Sequence, residues 1–318
     1  MSPLFGKKRK PSTIAVLDIE SGSLGSALVS LNARGAPALF GQDRNHFNLR
    51  STPSAEVLLK AIEREIEKSL GRLSGVSTLL KQHGKGSDVD RIAVFLHAPW
   101  SGVEVAERAK PDAHEATLAR LRSPAQVLGL PVTFHSFATT TMPVMHGLFG
   151  APKEALVISI GGEVSELMLF KAGAIAGHAT VPTGINTILR TLESHGGLSR
   201  HEARSILTLA KSARHHAWAE ALASGARAAS QAIQSGASDL LAQSPGAYQV
   251  FVLSHEPAAD FFARALTQDE HTHSLFSPGS TVRAMHPRVI SPHLSAHPAK
   301  PDTALMLESL FVDTRFGA

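Results

Sequence analysis

The chain has 318 residues, enough for two domains of roughly 150 that each bury a core. It has no cysteine, which excludes disulfides and thiolate-bound zinc, and no apolar run near the roughly 18 residues of a membrane helix. A net charge of +4 is only mildly basic, and one Tyr and two Trp supply too few rings for a base-stacking platform, so no nucleic-acid partner is expected. The 17 histidines are scattered without the spacing of a metal motif.

Residues 1–12 read as a disordered tail. The basic run Lys7-Lys8-Arg9-Lys10 is either a solvated end or a contact for an acidic surface. No apolar segment follows it, so a secretory signal is not expected. Ile14 to Leu17 is a buried strand ending in Asp18, an acid that needs a cationic or hydrogen-bonding partner there. The small residues Ser21-Gly22-Ser23 turn the chain into a second apolar run, Leu24 to Leu31. Such a turn lets backbone approach a ligand, and its N–H groups can cradle an anion.

Short strands follow at Ala38 to Phe40 and around His46 to Leu49. Pro53 to about Leu73 is a helix, with Val57, Leu58, Ile62, Ile66 and Leu70 at helical spacing; it extends at most to Leu80. Ile92 to Leu96 is a buried strand that ends abruptly at Ala98-Pro99-Trp100. A helix at Ala113 to Leu121, a strand at Val132 to Phe134 and a helix at Thr139 to Gly150 come next.

The opening pattern then returns. Val157-Ile158-Ser159-Ile160 leads through Gly161-Gly162-Glu163 to a second apolar run, with Ser159 falling where Asp18 stood, about 140 residues later. Val181 to Gly184 leads into a helix from Ile185 to Ser194. Ser199 with Glu202 is a capping-box pattern opening the helical stretch 199–243. Tyr248 to Leu253 is a strand, Ala258 to Leu266 a helix, Thr281 to Met285 a strand, and Thr303 to Phe311 a closing helix. Strands then helix, twice over, argue an α/β chain with two sheets.

Two such hairpins facing one cleft resemble the actin-like ATPase superfamily. The branch it looks like is that of the pilus-assembly protein PilM and the cell-division protein FtsA. The residues that carry this likeness are the opening Leu4-Phe5-Gly6-Lys7, Ala98-Pro99-Trp100, and Val181-Pro182-Thr183-Gly184-Ile185-Asn186. The resemblance implies an actin-like, ribonuclease H-like two-domain fold: duplicated mixed sheets flanked by helices around a central cleft. Domain I would span 13–150 with the C-terminal helix 303–318, and domain II 151–302.

The resemblance also implies a site. Asp18, Ser21, Gly22 and Ser23 match the first phosphate loop, and Gly161, Gly162 and Glu163 the second, with ATP and magnesium as cofactors and Asp18 as the metal's acid. Ser159 replaces the second acid, and Glu163 is a candidate substitute. Ser254 and His255 stand where the family's Gly-Gly pair packs against adenine. Ser101 and Glu104 are candidates for the water-positioning residue. Trp100 reads as packing. Hydrolysis needs the metal, an aligned water and a fixed γ-phosphate together. These departures favour a scaffold with weak or absent ATPase activity. It would lie in the cytoplasm at the inner face of the membrane, docking the cytoplasmic tail of a membrane protein or self-associating. The membrane contact would run through that partner, since Leu310 to Ala318 makes a poor interfacial anchor. The alternative is a working ATPase or sugar-kinase-like enzyme.

Overall fold

The computed structural model describes residues 12–31, 35–47, 53–101, 111–150, 154–209, 218–242, 246–254, 258–268 and 279–317. The basic tail up to residue 11, Glu104 and His255 lie outside them. The first sheet is ordered β3-β2-β1-β4-β5, from β1 (Ser12–Ile19), β2 (Ser23–Leu31), β3 (Ala38–His46), β4 (Val89–Leu96) and β5 (Val132–Ser136). The second is β10-β9-β6-β7-β8, from β6 (Glu154–Ile160), β7 (Ser165–Lys171), β8 (Ala174–Val181), β9 (Gln249–Ser254) and β10 (Thr281–Ala284).

The two sheets share one plan. Each starts with an antiparallel three-strand meander, and each adds two parallel strands on the far side of its first strand. Asp18 and Ser159 hold equivalent places. Each is the next-to-last residue of its strand, opposite Gly25 on β2 and Glu166 on β7 respectively.

Side chains alternate across the strands, so each sheet has two buried faces. Ala15, Leu17, Ile19, Ile92 and Val94 pack outward against helix α1 (Ala55–Gln82) and helix α2 (Pro111–Ala125). Leu156, Ile158, Val250 and Val252 pack outward against α4 (Ile185–Gly196), α5 (Arg200–Leu209), α6 (Ala219–Ala242) and α7 (Ala258–Gln268). The inner faces share a third core. In it Ile14, Val16, Ala93 and Phe95 of one sheet meet Val157, Phe251 and Leu253 of the other. Helix α3 (Phe137–Phe149) and the closing helix, Thr303–Phe316, fill the same core. The parity that puts Ile14 and Val16 on the inner face also puts Asp18 there, and the parity of Ala93 and Phe95 does the same for His97.

Several boundaries differ from the sequence reading. β3 runs unbroken through Gly41-Gln42-Asp43-Arg44-Asn45, which its polar residues disguise as a loop. Helix α1 starts at Ala55, after Pro53, and continues to Gln82; Ser54 caps it, its Oγ accepting from the Val57 N–H at 3.4 Å. Val57 itself is 51% exposed, and Leu59 is the buried neighbour. The closing helix extends to Phe316. The Ser199–Glu202 capping box is present, with the Ser199 N–H donating to Glu202 Oε2 at 2.8 Å. Among the described residues no helix is long and apolar enough to cross a membrane.

Candidate functional site

The loops after β1 and β6 meet at the mouth between the sheets. Ser21 Oγ accepts from the N–H groups of Glu163 at 2.9 Å and Val164 at 3.0 Å. Gly22 lies directly on Gly162: a Cβ added to Gly162 would stand 2.5 Å from Gly22 Cα. The start of α4 closes the same knot. The N–H groups of Ile185 and Asn186 donate to the carbonyls of Gly161 at 3.0 Å and Gly162 at 2.9 Å. A Cβ on Gly184 would lie 2.5 Å from both of those carbonyl oxygens, which is why glycine stands in this motif. Asn186 Nδ2 donates to Glu163 Oε1 at 2.7 Å.

A helix N-terminus and a small-residue turn are ordinary places for a phosphate because their N–H groups point outward unpaired. Here the loop N–H groups of Glu163 and Val164 are bonded to Ser21, and the first N–H groups of α4 are bonded to loop carbonyls. The Glu163 carboxylate forms a bidentate pair with Arg190, at 3.0 and 2.9 Å. Ser254 Oγ donates to the Ile160 carbonyl at 3.0 Å, tying β9 to β6. Ser23 Oγ donates to Glu20 Oε2 at 3.1 Å. Trp100 is buried, its indole N–H donating to the Glu20 carbonyl at 3.2 Å.

Asp18 is wholly buried and has the cationic partner that its position demands. Arg44 on β3 reaches across β2 to bond Asp18 Oδ2. It passes over Gly25, where a Cβ would stand 2.7 Å from Nη2, so the missing side chain opens the route. The same guanidinium bonds Asp302 at the start of the closing helix, at 2.5 Å, and lies 3.6 Å from Glu20. Sequence reasoning missed this arginine. The available signal was the pairing of a glycine on one strand with an arginine on the next.

Two further groups complete the cluster. His97 Nε2 lies 2.7 Å from Asp18 Oδ1, and its ring stacks on Phe137 at 3.8 Å. Glu308, from the closing helix, is buried beside both. On its other side His97 Nδ1 is 3.5 Å from Ser159 Oγ and 4.0 Å from Glu166 Oε2. Glu166 in turn bonds His178 at 2.6 Å. Burial alone would push the Asp18 carboxyl up, but the His97 and Arg44 charges outweigh it and hold it at about 2. Burial opposes the charge on His97, and Asp18 overcomes it and raises the imidazole. Burial, then the Asp18 charge, push the Glu308 carboxyl well above the usual carboxylate range.

No protein-family model and no curated protein sequence matches the chain. Solved structures do. One is the ethanolamine utilization protein EutJ from Carboxydothermus hydrogenoformans, with a TM-score of 0.60 at 13% identity over 96% of this chain and 92% of that one. Another is a PilM-PilN type IV pilus biogenesis complex, with a TM-score of 0.61 at 12% identity over 96% of this chain and 97% of that one. At such identities the likeness speaks for the fold. Two mixed five-strand sheets with one plan, flanked by helices and meeting at paired loops, are the actin-like ATPase fold, and in that fold the chain resembles PilM.

Proposed function

We propose that this chain is a cytoplasmic actin-like scaffold of the PilM kind whose nucleotide site is closed. The observation that carries the reading is the bond between the loops: the Ser21 hydroxyl takes the Glu163 and Val164 N–H groups, where a phosphate would bind. As they stand, the loop residues do not fit a magnesium nucleotide. Gly22 rests on Gly162, and Ser159 brings no charge to the place of the second acid. A hydrated magnesium favours carboxylates, and phosphoryl transfer needs all its parts together.

The work left to such a fold is docking. Its partner would be the cytoplasmic tail of a membrane protein, in pilus assembly or, as the second role, in cell division, with self-association as a further option. Attachment to the inner face of the membrane would run through that partner. The solved PilM-PilN complex supports this choice, since it is an assembly of a protein with this fold.

Heating the protein with and without millimolar magnesium-ATP tests the closed site, because a ligand that binds only the folded chain raises the melting temperature. No rise is expected; a rise would restore the reading as a working ATPase or sugar-kinase-like enzyme. Pull-downs on isolated cytoplasmic tails of pilus and division proteins from the source organism test the docking role. Retention by one tail is expected, and failure on every tail would end it.

A further inference from the structure

We propose that Asp18, His97 and Glu308 form a site for one divalent transition metal of the zinc or manganese class, which fastens the closing helix to the ends of β1 and β4. This goes beyond the scaffold reading and does not depend on it, since no nucleotide or partner takes part.

The geometry comes first. Each of the three residues is buried and offers one ligand atom, and these atoms all lie within 4.8 Å of one another. Asp18 Oδ1, His97 Nε2 and both Glu308 oxygens have no aligned hydrogen-bond partner. Nε2 and Oδ1 are 2.7 Å apart, so these two donor atoms already converge on one point. Buried polar atoms left in this state are unfavourable, and a cation between them would satisfy all of them. Arg44 does not compete for the same atom, because it bonds Asp18 through Oδ2.

The surroundings are rich in carboxyls: Asp18, Glu20 and Asp302 gather around Arg44, and Glu308 adds a fourth acid beside Asp18. The donor set of one imidazole and two carboxylates suits zinc or manganese better than magnesium or calcium, which prefer oxygen alone. The outer shell fits too. His97 Nδ1 faces Ser159 Oγ at 3.5 Å and Glu166 Oε2 at 4.0 Å, the kind of partners that orient a ligating imidazole.

The test uses the full chain, stripped with EDTA, loaded with zinc or manganese chloride, desalted and assayed by elemental analysis. One retained ion per chain is expected, with a melting temperature that climbs as free zinc is raised. Glu308→Gln, nearly the same shape, is expected to stay folded and lose the retained ion. Equal retention by Glu308→Gln would assign the metal to surface histidines and overturn the site, as would no retention by the parent chain. Cobalt supplies a check that needs no variant. Strong visible ligand-field bands are expected from cobalt in a dry, low-coordinate site, and a spectrum matching the aqueous ion would sink the proposal.

Discussion

Gly22 and Gly162 touch backbone to backbone where the two loops cross, with no room for a side chain on either. A Cβ on Gly162 would sit 2.5 Å from Gly22 Cα and 2.9 Å from Gly22 N, and neither atom can step aside as a flexible side chain would. Gly162→Ala should therefore lower stability by about 1–3 kcal/mol, the usual range for overpacking. Gly71→Ala is the control. It lies inside α1 with open space around its Cβ position, so alanine there should stabilise by about 0.5–1 kcal/mol. Urea midpoints moving in opposite directions would confirm both; a neutral Gly162→Ala would mean that the loops part readily.

The Ser21 hydroxyl satisfies two N–H groups in the opposite loop. Ser21→Ala leaves both without a partner in a buried place. The expected loss is about 1–3 kcal/mol, with faster hydrogen exchange at the Glu163 and Val164 amides. Exchange rates equal to those of the parent would show that water replaces the hydroxyl.

Arg44 answers for three acids at once. Arg44→Met would take from buried Asp18 one of its two cationic partners, leaving His97 alone, and breaking a buried pair from one side costs about 3–5 kcal/mol. Arg44→Lys should recover only part of this, because an ammonium cannot bond Asp18 and Asp302 together as the planar guanidinium does. Full recovery by lysine, measured by denaturant unfolding, would reduce the arginine's role to its charge.

His135 predicts a pH effect away from the cleft. Its ring lies against Phe95 at 5.3 Å and Phe311 at 5.2 Å, with Phe316 at 6.0 Å, and Nε2 is 3.1 Å from Thr133 Oγ1. Burial first, then the Arg315 charge, hold its pKa below the ordinary imidazole value. The unfolded chain then binds the proton more readily. The stabilising contribution is fully present above the unfolded value of about 6.5 and is lost as pH falls through the folded one. His135→Phe should remove that part of the slope, so the two stability curves should diverge between about pH 7 and pH 5. Parallel curves would contradict the shift.

Much of this molecule is legible in its sequence because apolar runs declare buried strands. The runs at Ile14, Ile92, Val157 and Val250 are all core strands, and the repeat of strand, small turn and strand marks the duplicated plan. Ser159 is visible as the residue in the place of Asp18 for the same reason. What stayed hidden is the environment of Asp18. Arg44 lies in a polar edge strand whose composition imitates a loop, and its reach depends on pairing across β2. His97 passes for the residue before a proline motif. Glu308 is one acid beside a short apolar run in the closing helix, and only the packing of that helix turns it inward. Side-chain partners brought together from opposite ends of a chain leave no local periodicity to read.

The closing helix sets an order on the making of this protein. Leu305, Met306, Leu307 and Val312 plug a core lined by strands from near both ends of the chain. A ribosome must deliver residues 303–316 before the core between the inner sheet faces can be completed. Until then the nascent polypeptide leaves part of that apolar surface open, a state that invites chaperones and penalises slow release.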